Sequence, residues 1–262
     1  MNLVQFHRYV ALGDSFTEGV GDHDETLPNG VRGWADRMAE VLAERDKDFT
    51  YANLAIRGRK LLPILDEQVE PALALNPDLV SIYAGANDVL RPRIDLDMLV
   101  DEYDKALGRL AEGGAHLVVF TAYDPGRVPV FAALRGRFAI YNELVRHVAD
   151  KHGATLVDFW RMRAYRDPRL WDTDRMHMSS AGHQVMAIEV LNALGIKHDA
   201  VPLELGEREK LSRVQQSTGH AHWLRASAGP WVKRRLTGQS SGDNLEPRWP
   251  ELVRLDAPIL GS

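Results

Sequence analysis

Tyr9-Val10-Ala11-Leu12-Gly13-Asp14-Ser15-Phe16-Thr17-Glu18-Gly19 is the stretch on which the reading of this chain turns. Four apolar or aromatic residues run straight into a glycine and a group of polar side chains, as a buried strand does when it ends in an open α/β fold. Such folds meet their ligands beyond the carboxyl ends of the strands, which puts the Ser15 hydroxyl where a ligand would arrive. Taken alone, Gly-Asp-Ser is more simply a helix cap. Its meaning depends on what the rest of the chain brings to the same edge.

Working outward, short apolar runs recur at residues 9–12, 50–54, 79–83, 116–121 and 155–159, each four to six residues long and separated by helical patterns. In one of these, Leu96, Leu99, Val100, Tyr103, Leu107 and Leu110 share a face while Asp97, Asp101, Asp104 and Lys105 stay wet, and Gly113 and Gly114 end it. A last helix starts at Ser179 or Ser180, carries Val185, Met186, Ile188, Val190 and Leu191, and stops before Gly195. The expected architecture is a three-layer α/β/α fold on a flavodoxin-like sheet of five parallel strands.

The helix–strand alternation fades near position 200, so residues 1–200 are expected to form the catalytic domain and residues 201–262 a C-terminal extension. This tail mixes charge with Trp223, Leu224, Trp231, Val232, Leu236 and Trp249. Its apolar groups suit docking on its own domain or on a partner subunit, which would make a homo-oligomer. The basic run Lys233, Arg234, Arg235 reads as a solvated face.

Composition narrows the function. With 262 residues, 45% of them apolar, the chain buries a sizeable core, and a net charge of −5 gives no basic face for nucleic acid. The absence of cysteine excludes a thiol nucleophile and thiolate metal ligands. Residues 1–10 show no apolar signal core or spanning segment ahead of the motif, so a cytoplasmic location without integral membrane association is expected.

Far from Ser15 stands Asp174-Arg175-Met176-His177. A serine nucleophile needs a base, and the base needs a carboxylate to hold its tautomer; a three-residue spacing lets one loop present both. An acyl-transfer site also needs donors for a developing oxyanion. Residues 53–58, ending in Gly58, and Gly85-Ala86-Asn87-Asp88 follow the second and third strands and offer them.

These four blocks, in this order, resemble the GDSL/SGNH hydrolase family over residues 9 to about 195. The resemblance implies Ser15 as nucleophile and as oxyanion donor through its N–H. It implies Gly58 and Asn87 as the other donors, His177 as base and Asp174 as its orienting carboxylate. It further implies a serine esterase acting on a small-molecule ester, with no metal or organic cofactor. Phe16 departs from the family's leucine but keeps bulk beneath the serine, and the tail has no counterpart in the minimal family domain.

Two rivals stay open. Asp172, Asp174, His177 and His183 are all possible metal ligands, which would give a metal-dependent hydrolase. Alternatively the fold binds without reacting. Within the preferred class, acetyl esters of carbohydrates, lipid esters, thioesters and acyl transfer to an alcohol are all compatible. The acyl pocket is expected from the loops after Gly19, after Asn87 and around residues 125–131, while Trp160 and Trp171 are read first as packing groups.

Overall fold

The computed structural model describes residues 5–127, 131–207 and 240–255, together with Thr218, Trp223, Arg225 and Gly229. In chain order the elements are β1 (Arg8–Gly13), α1 (Ser15–Glu18), α2 (Trp34–Arg45), β2 (Thr50–Asn53), α3 (Leu61–Ala74), β3 (Leu79–Tyr83), α4 (Ala86–Val89) and α5 (Leu96–Glu112). They continue with β4 (His116–Phe120), α6 (Arg135–Lys151), β5 (Thr155–Val157), α7 (Ser180–Ala193) and β6 (Trp249–Val253).

Strand alternation builds the layers, because successive side chains on a strand point to opposite faces. Val10 and Leu12 of β1 join Val80, Ile82, Leu117 and Val119 on one face, covered by α3, α5 and α6. Tyr9 and Ala11 join Leu79, Tyr83, Val118 and Phe120 on the other, covered by α2 and α7. Both faces being buried explains why the strands read as apolar runs. The helix expected over residues 96–110 is α5, opened by Asp95, whose carboxylate accepts from the N–H groups of Asp97 and Met98.

The sheet order is β5-β4-β3-β1-β2-β6. The five strands read from sequence are all present and mutually parallel. The chain winds from β1 outward to β2 and then returns to the other side of β1 to lay down β3, so the switch in winding falls between β1 and β3. That crevice is where open α/β sheets bind ligands.

The sixth strand comes from the tail: β6 runs antiparallel to β2, pairing Tyr51 with Val253 and Asn53 with Trp249 across an irregularity. Its sequence, with Pro250 and Glu251, has the character of an edge strand and carries no apolar run. The tail residues Leu224, Trp231, Val232, Lys233, Arg234, Arg235 and Leu236 lie outside the described residues. Among the described residues, no helix is long and apolar enough to cross a membrane.

Candidate active site

Ser15 opens α1 immediately after β1, and the turn is tied on both sides. The Asp14 carboxylate caps α1 by accepting from the Phe16 N–H at 3.0 Å, while its carbonyl takes the N–H groups of Thr17 and Glu18. Gln68 grips the Gly13 peptide from α3, accepting from its N–H at 2.8 Å and donating to its carbonyl at 3.0 Å. Beneath the serine, the Phe16 ring lies 4.1 Å from Tyr83 and within 6 Å of Trp34, Phe120 and Phe159, so the departure at position 16 fills an aromatic cluster. As the first residue of α1, Ser15 has an N–H without an acceptor in its own helix.

Asp174 and His177 sit on a tight hairpin ahead of α7. Trp171 and Met178 form an antiparallel bridge, the Asp172 N–H bonds the His177 carbonyl at 2.8 Å, and Arg175 turns the tip at φ 56°. The Asp174 carboxylate accepts from the N–H groups of Met176 and His177 through one oxygen, at 2.8 and 2.9 Å. Its other oxygen lies 2.6 Å from His177 Nδ1. The imidazole is thereby aimed so that Nε2 lies 3.1 Å from Ser15 Oγ, joining residues 162 positions apart. Burial pushes the Asp174 carboxyl up, but the hydrogen bonds and charge of His177 and the two backbone N–H groups outweigh it and hold the group below its ordinary value. The base thus faces a charged carboxylate.

The nucleophile loop must pass close to this hairpin. At Gly21, φ 101°, a Cβ would stand 2.1 Å from the Met178 carbonyl oxygen, so only glycine lets the two loops meet.

Gly58 takes φ 78° in the loop after β2, which suits a residue without a side chain. Its loop is held to the nucleophile turn by Glu18: the Arg57 N–H and guanidinium both donate to this buried carboxylate, the former at 2.6 Å. Asn87, on α4 after β3, donates from Nδ2 to the Asp14 carboxylate at 2.9 Å and to the Arg59 carbonyl at 3.0 Å. Both amide hydrogens are therefore already in use. Burial first, and the neighbouring carboxylates Asp88 and Glu18, raise Asp14 to about 7, although the Phe16 N–H and His177 pull it down.

Ser15, Asn87 and His177 open onto a cavity of about 900 Å³, near the upper end of small-molecule sites. Its walls are mostly apolar and rich in aromatic rings, with Tyr123, Phe131, Phe138, Phe159 and Trp171 among them, and Val20, Leu90 and Pro125 come from the three loops expected to supply the pocket. Residues 128–130 of the third loop lie outside the described residues. Gly58 is not among the lining residues. Trp171 lines the cavity while its indole N–H bonds the Tyr165 carbonyl at 2.7 Å; Trp160 instead lies under the Arg135 guanidinium.

The metal alternative has little geometry behind it. His183 accepts from the Trp34 N–H at Nδ1, so its Nε2–H donates to the Val20 carbonyl, and both nitrogens are committed. Burial pushes this imidazole down to about 4. Among the described residues, no three His, Cys, Asp or Glu side chains converge as metal ligands.

Asp14, Glu18 and Arg57 were not singled out from sequence as parts of the site, although two lie inside the opening motif and the third directly precedes Gly58. Opposite charges 39 residues apart follow no spacing rule, so their pairing is a product of the sheet.

A model of the GDSL-like lipase/acylhydrolase family matches residues 11–185, from β1 into α7. A GDSL esterase/lipase of Oryza sativa subsp. japonica is 21% identical over 215 residues, covering 71% of this chain and 82% of that protein. Among solved structures, an acetylxylan esterase from Geobacillus stearothermophilus superposes with a TM-score of 0.59 at 19% identity, over 75% of this chain and 98% of its own. An alpha/beta hydrolase from the metagenome of Lake Arreo, Spain, gives a TM-score of 0.59 at 27% identity, over 72% of this chain and 95% of its own. Blocks, fold and family match together lead to one assignment: the chain belongs to the GDSL-like lipase/acylhydrolase family and is an ester-hydrolysing enzyme.

Proposed function

We propose that this enzyme is a serine esterase that works through an acyl-enzyme on Ser15. Ser15 Oγ attacks the ester carbonyl carbon as His177 Nε2 takes its proton; the carbonyl π electrons move onto oxygen, giving a tetrahedral oxyanion. That oxyanion is met by the N–H groups of Ser15 and Gly58 and by the Asn87 amide, which gives up its bond to Asp14 or to the Arg59 carbonyl to do so. Collapse breaks the bond to the alcohol, which leaves with the proton from His177. Water then repeats the attack with the same imidazole as base, releasing the acid and restoring the serine. Asp174 holds the ring in the tautomer that presents a bare Nε2. No metal or organic cofactor takes part.

The observation that carries this reading is the continuous relay from Asp174 through His177 to Ser15, at 2.6 and 3.1 Å, opening onto a ligand-sized cavity. The substrate is a small-molecule ester with an apolar portion, in keeping with the aromatic walls, and the setting is cytoplasmic. Labelling with a fluorophosphonate followed by peptide mapping tests the mechanism. The native chain is expected to label on Ser15, while Ser15→Ala does not label and His177→Ala labels at least about 10³-fold more slowly. Undiminished hydrolysis by Ser15→Ala would refute it.

A further inference from the structure

Of the four segments that carry the site residues, three, the hairpin, the glycine loop and the nucleophile turn, each receive a hydrogen bond from the C-terminal tail, at a distinct point. At the hairpin, Trp223 Nε1–H donates to the Asp174 carbonyl at 2.6 Å, and the Arg175 guanidinium lies 5.4 Å from the centre of the same ring. The indole is 6% exposed. The Asp174 carboxylate is tied to N–H groups within its own loop, so its direction follows the hairpin tip. That tip contains a non-glycine residue in left-handed backbone, which needs outside support to persist. Trp223 supplies a contact to the two residues, 174 and 175, that define it.

At the glycine loop, Ser240 Oγ–H donates to the Arg57 carbonyl at 3.2 Å. In a trans peptide the C=O of one residue and the N–H of the next lie in one plane and point opposite ways, so pinning the Arg57 oxygen fixes the direction of the Gly58 N–H. Ser240 packs directly on that residue: a Cβ at Gly58 would stand 2.2 Å from its Oγ. The Ser240 N–H is in turn held by Asp243 at 2.8 Å. At the nucleophile turn, the buried Arg248 donates to the Glu18 carbonyl at 3.1 Å and to the Asp36 carboxylate at 2.6 Å.

We propose that the tail is a strap that completes the active centre, with Trp223 a positioning residue for the Asp174–His177 pair and Ser240 a positioning residue for the Gly58 N–H. Neither touches the substrate. Each acts by holding a group that must sit within a fraction of an ångström of its place, where small displacements cost up to about 10²-fold in rate. The inference rests on the serine-esterase reading above and adds to it that residues beyond position 200 set turnover.

The test compares full-length native, Trp223→Phe, Ser240→Ala, Ser240→Thr and Ser15→Ala proteins. The readouts are kcat and KM on a nitrophenyl ester, the rate of fluorophosphonate labelling, and thermal melting. Trp223→Phe keeps an aromatic ring beside Arg175 and loses the N–H together with part of the indole's bulk. Assayed well below its melting transition, it is expected to lower kcat and the labelling rate together by about 10- to 100-fold, with KM within about twofold. Ser240→Ala is expected to lower kcat in the same way, and Ser240→Thr, which keeps the hydroxyl, to restore it. Native kcat and labelling in both Trp223→Phe and Ser240→Ala overturn the strap while an inactive Ser15→Ala leaves the serine reading intact. A change confined to KM, or one that only tracks melting, also overturns it. If Ser15→Ala retains native turnover, the serine reading falls and the strap falls with it. Ser240 lies half-exposed on a turn, so its variants decide the matter even if Trp223→Phe does not fold.

Discussion

Asp14 is the residue most at odds with its surroundings, since a carboxyl 2% exposed and raised to about 7 disfavours its own charge. Its ordinary value of 3.8 applies when the chain is unfolded. Folding therefore favours the protonated form, and this contribution to stability is complete below pH 3.8 and is lost as pH rises through about 7. At about 1.4 kcal/mol per unit, the loss is on the order of 4 kcal/mol by pH 8. Asp14→Asn removes that titration and retains an oxygen for the Phe16 N–H. The stability difference between variant and native, followed by denaturant unfolding, is expected to shift in favour of the variant from pH 5 to pH 8; a difference independent of pH would contradict it. His183 acts in the opposite sense, since its depressed value makes the fold lose stability as pH falls from about 6.5 towards 4, but both proteins share it and it cancels.

Among the elements, β6 and the segment leading into it bear most on how the site is framed. β6 covers the edge of β2, and Arg248, one residue ahead of it, reaches into the protein to pair with Asp36. Asp36 also caps α2 by accepting from the Gly33 N–H at 2.7 Å. Removing one member of a buried ion pair strands the other, which costs about 3–5 kcal/mol. Arg248→Met is accordingly expected to lower unfolding stability by that amount, measured by denaturant titration; a loss under about 1 kcal/mol would mean the pair is solvated. Elements with their own periodicity, such as α5 and the five parallel strands, were legible in the chain because burial on one or both faces writes a repeat into the residues. β6 was not, because an edge strand half open to water needs no such repeat.

For the molecule as a whole, the size and aromatic character of the cavity bear on substrate choice. An acetyl group would leave most of about 900 Å³ unfilled, whereas longer acyl chains bury methylenes against Phe131, Phe138 and Leu90. Each methylene so buried is worth up to about 0.8 kcal/mol, or about fourfold in rate. Across a nitrophenyl ester series from acetate to decanoate, kcat/KM is expected to rise over the first several carbons before it levels; a maximum at acetate would point to a pocket closed to the chain.

By itself, the sequence determined the fold class and, through its resemblance to a known family, the blocks that bear Ser15, Gly58, Asn87, Asp174 and His177. The fold class is written in local properties, apolar periodicity and turn residues, and the blocks in an order of motifs that the family shares. Only the tertiary structure decided that Asn87 is held by Asp14, that Glu18 ties the glycine loop to the nucleophile turn, and that the tail returns to touch the hairpin, the glycine loop and the nucleophile turn. Hydrogen bonds and ion pairs between residues 39 to 230 positions apart leave no spacing in the chain, because what brings them together is the packing of a sheet whose neighbours in space are not neighbours in sequence.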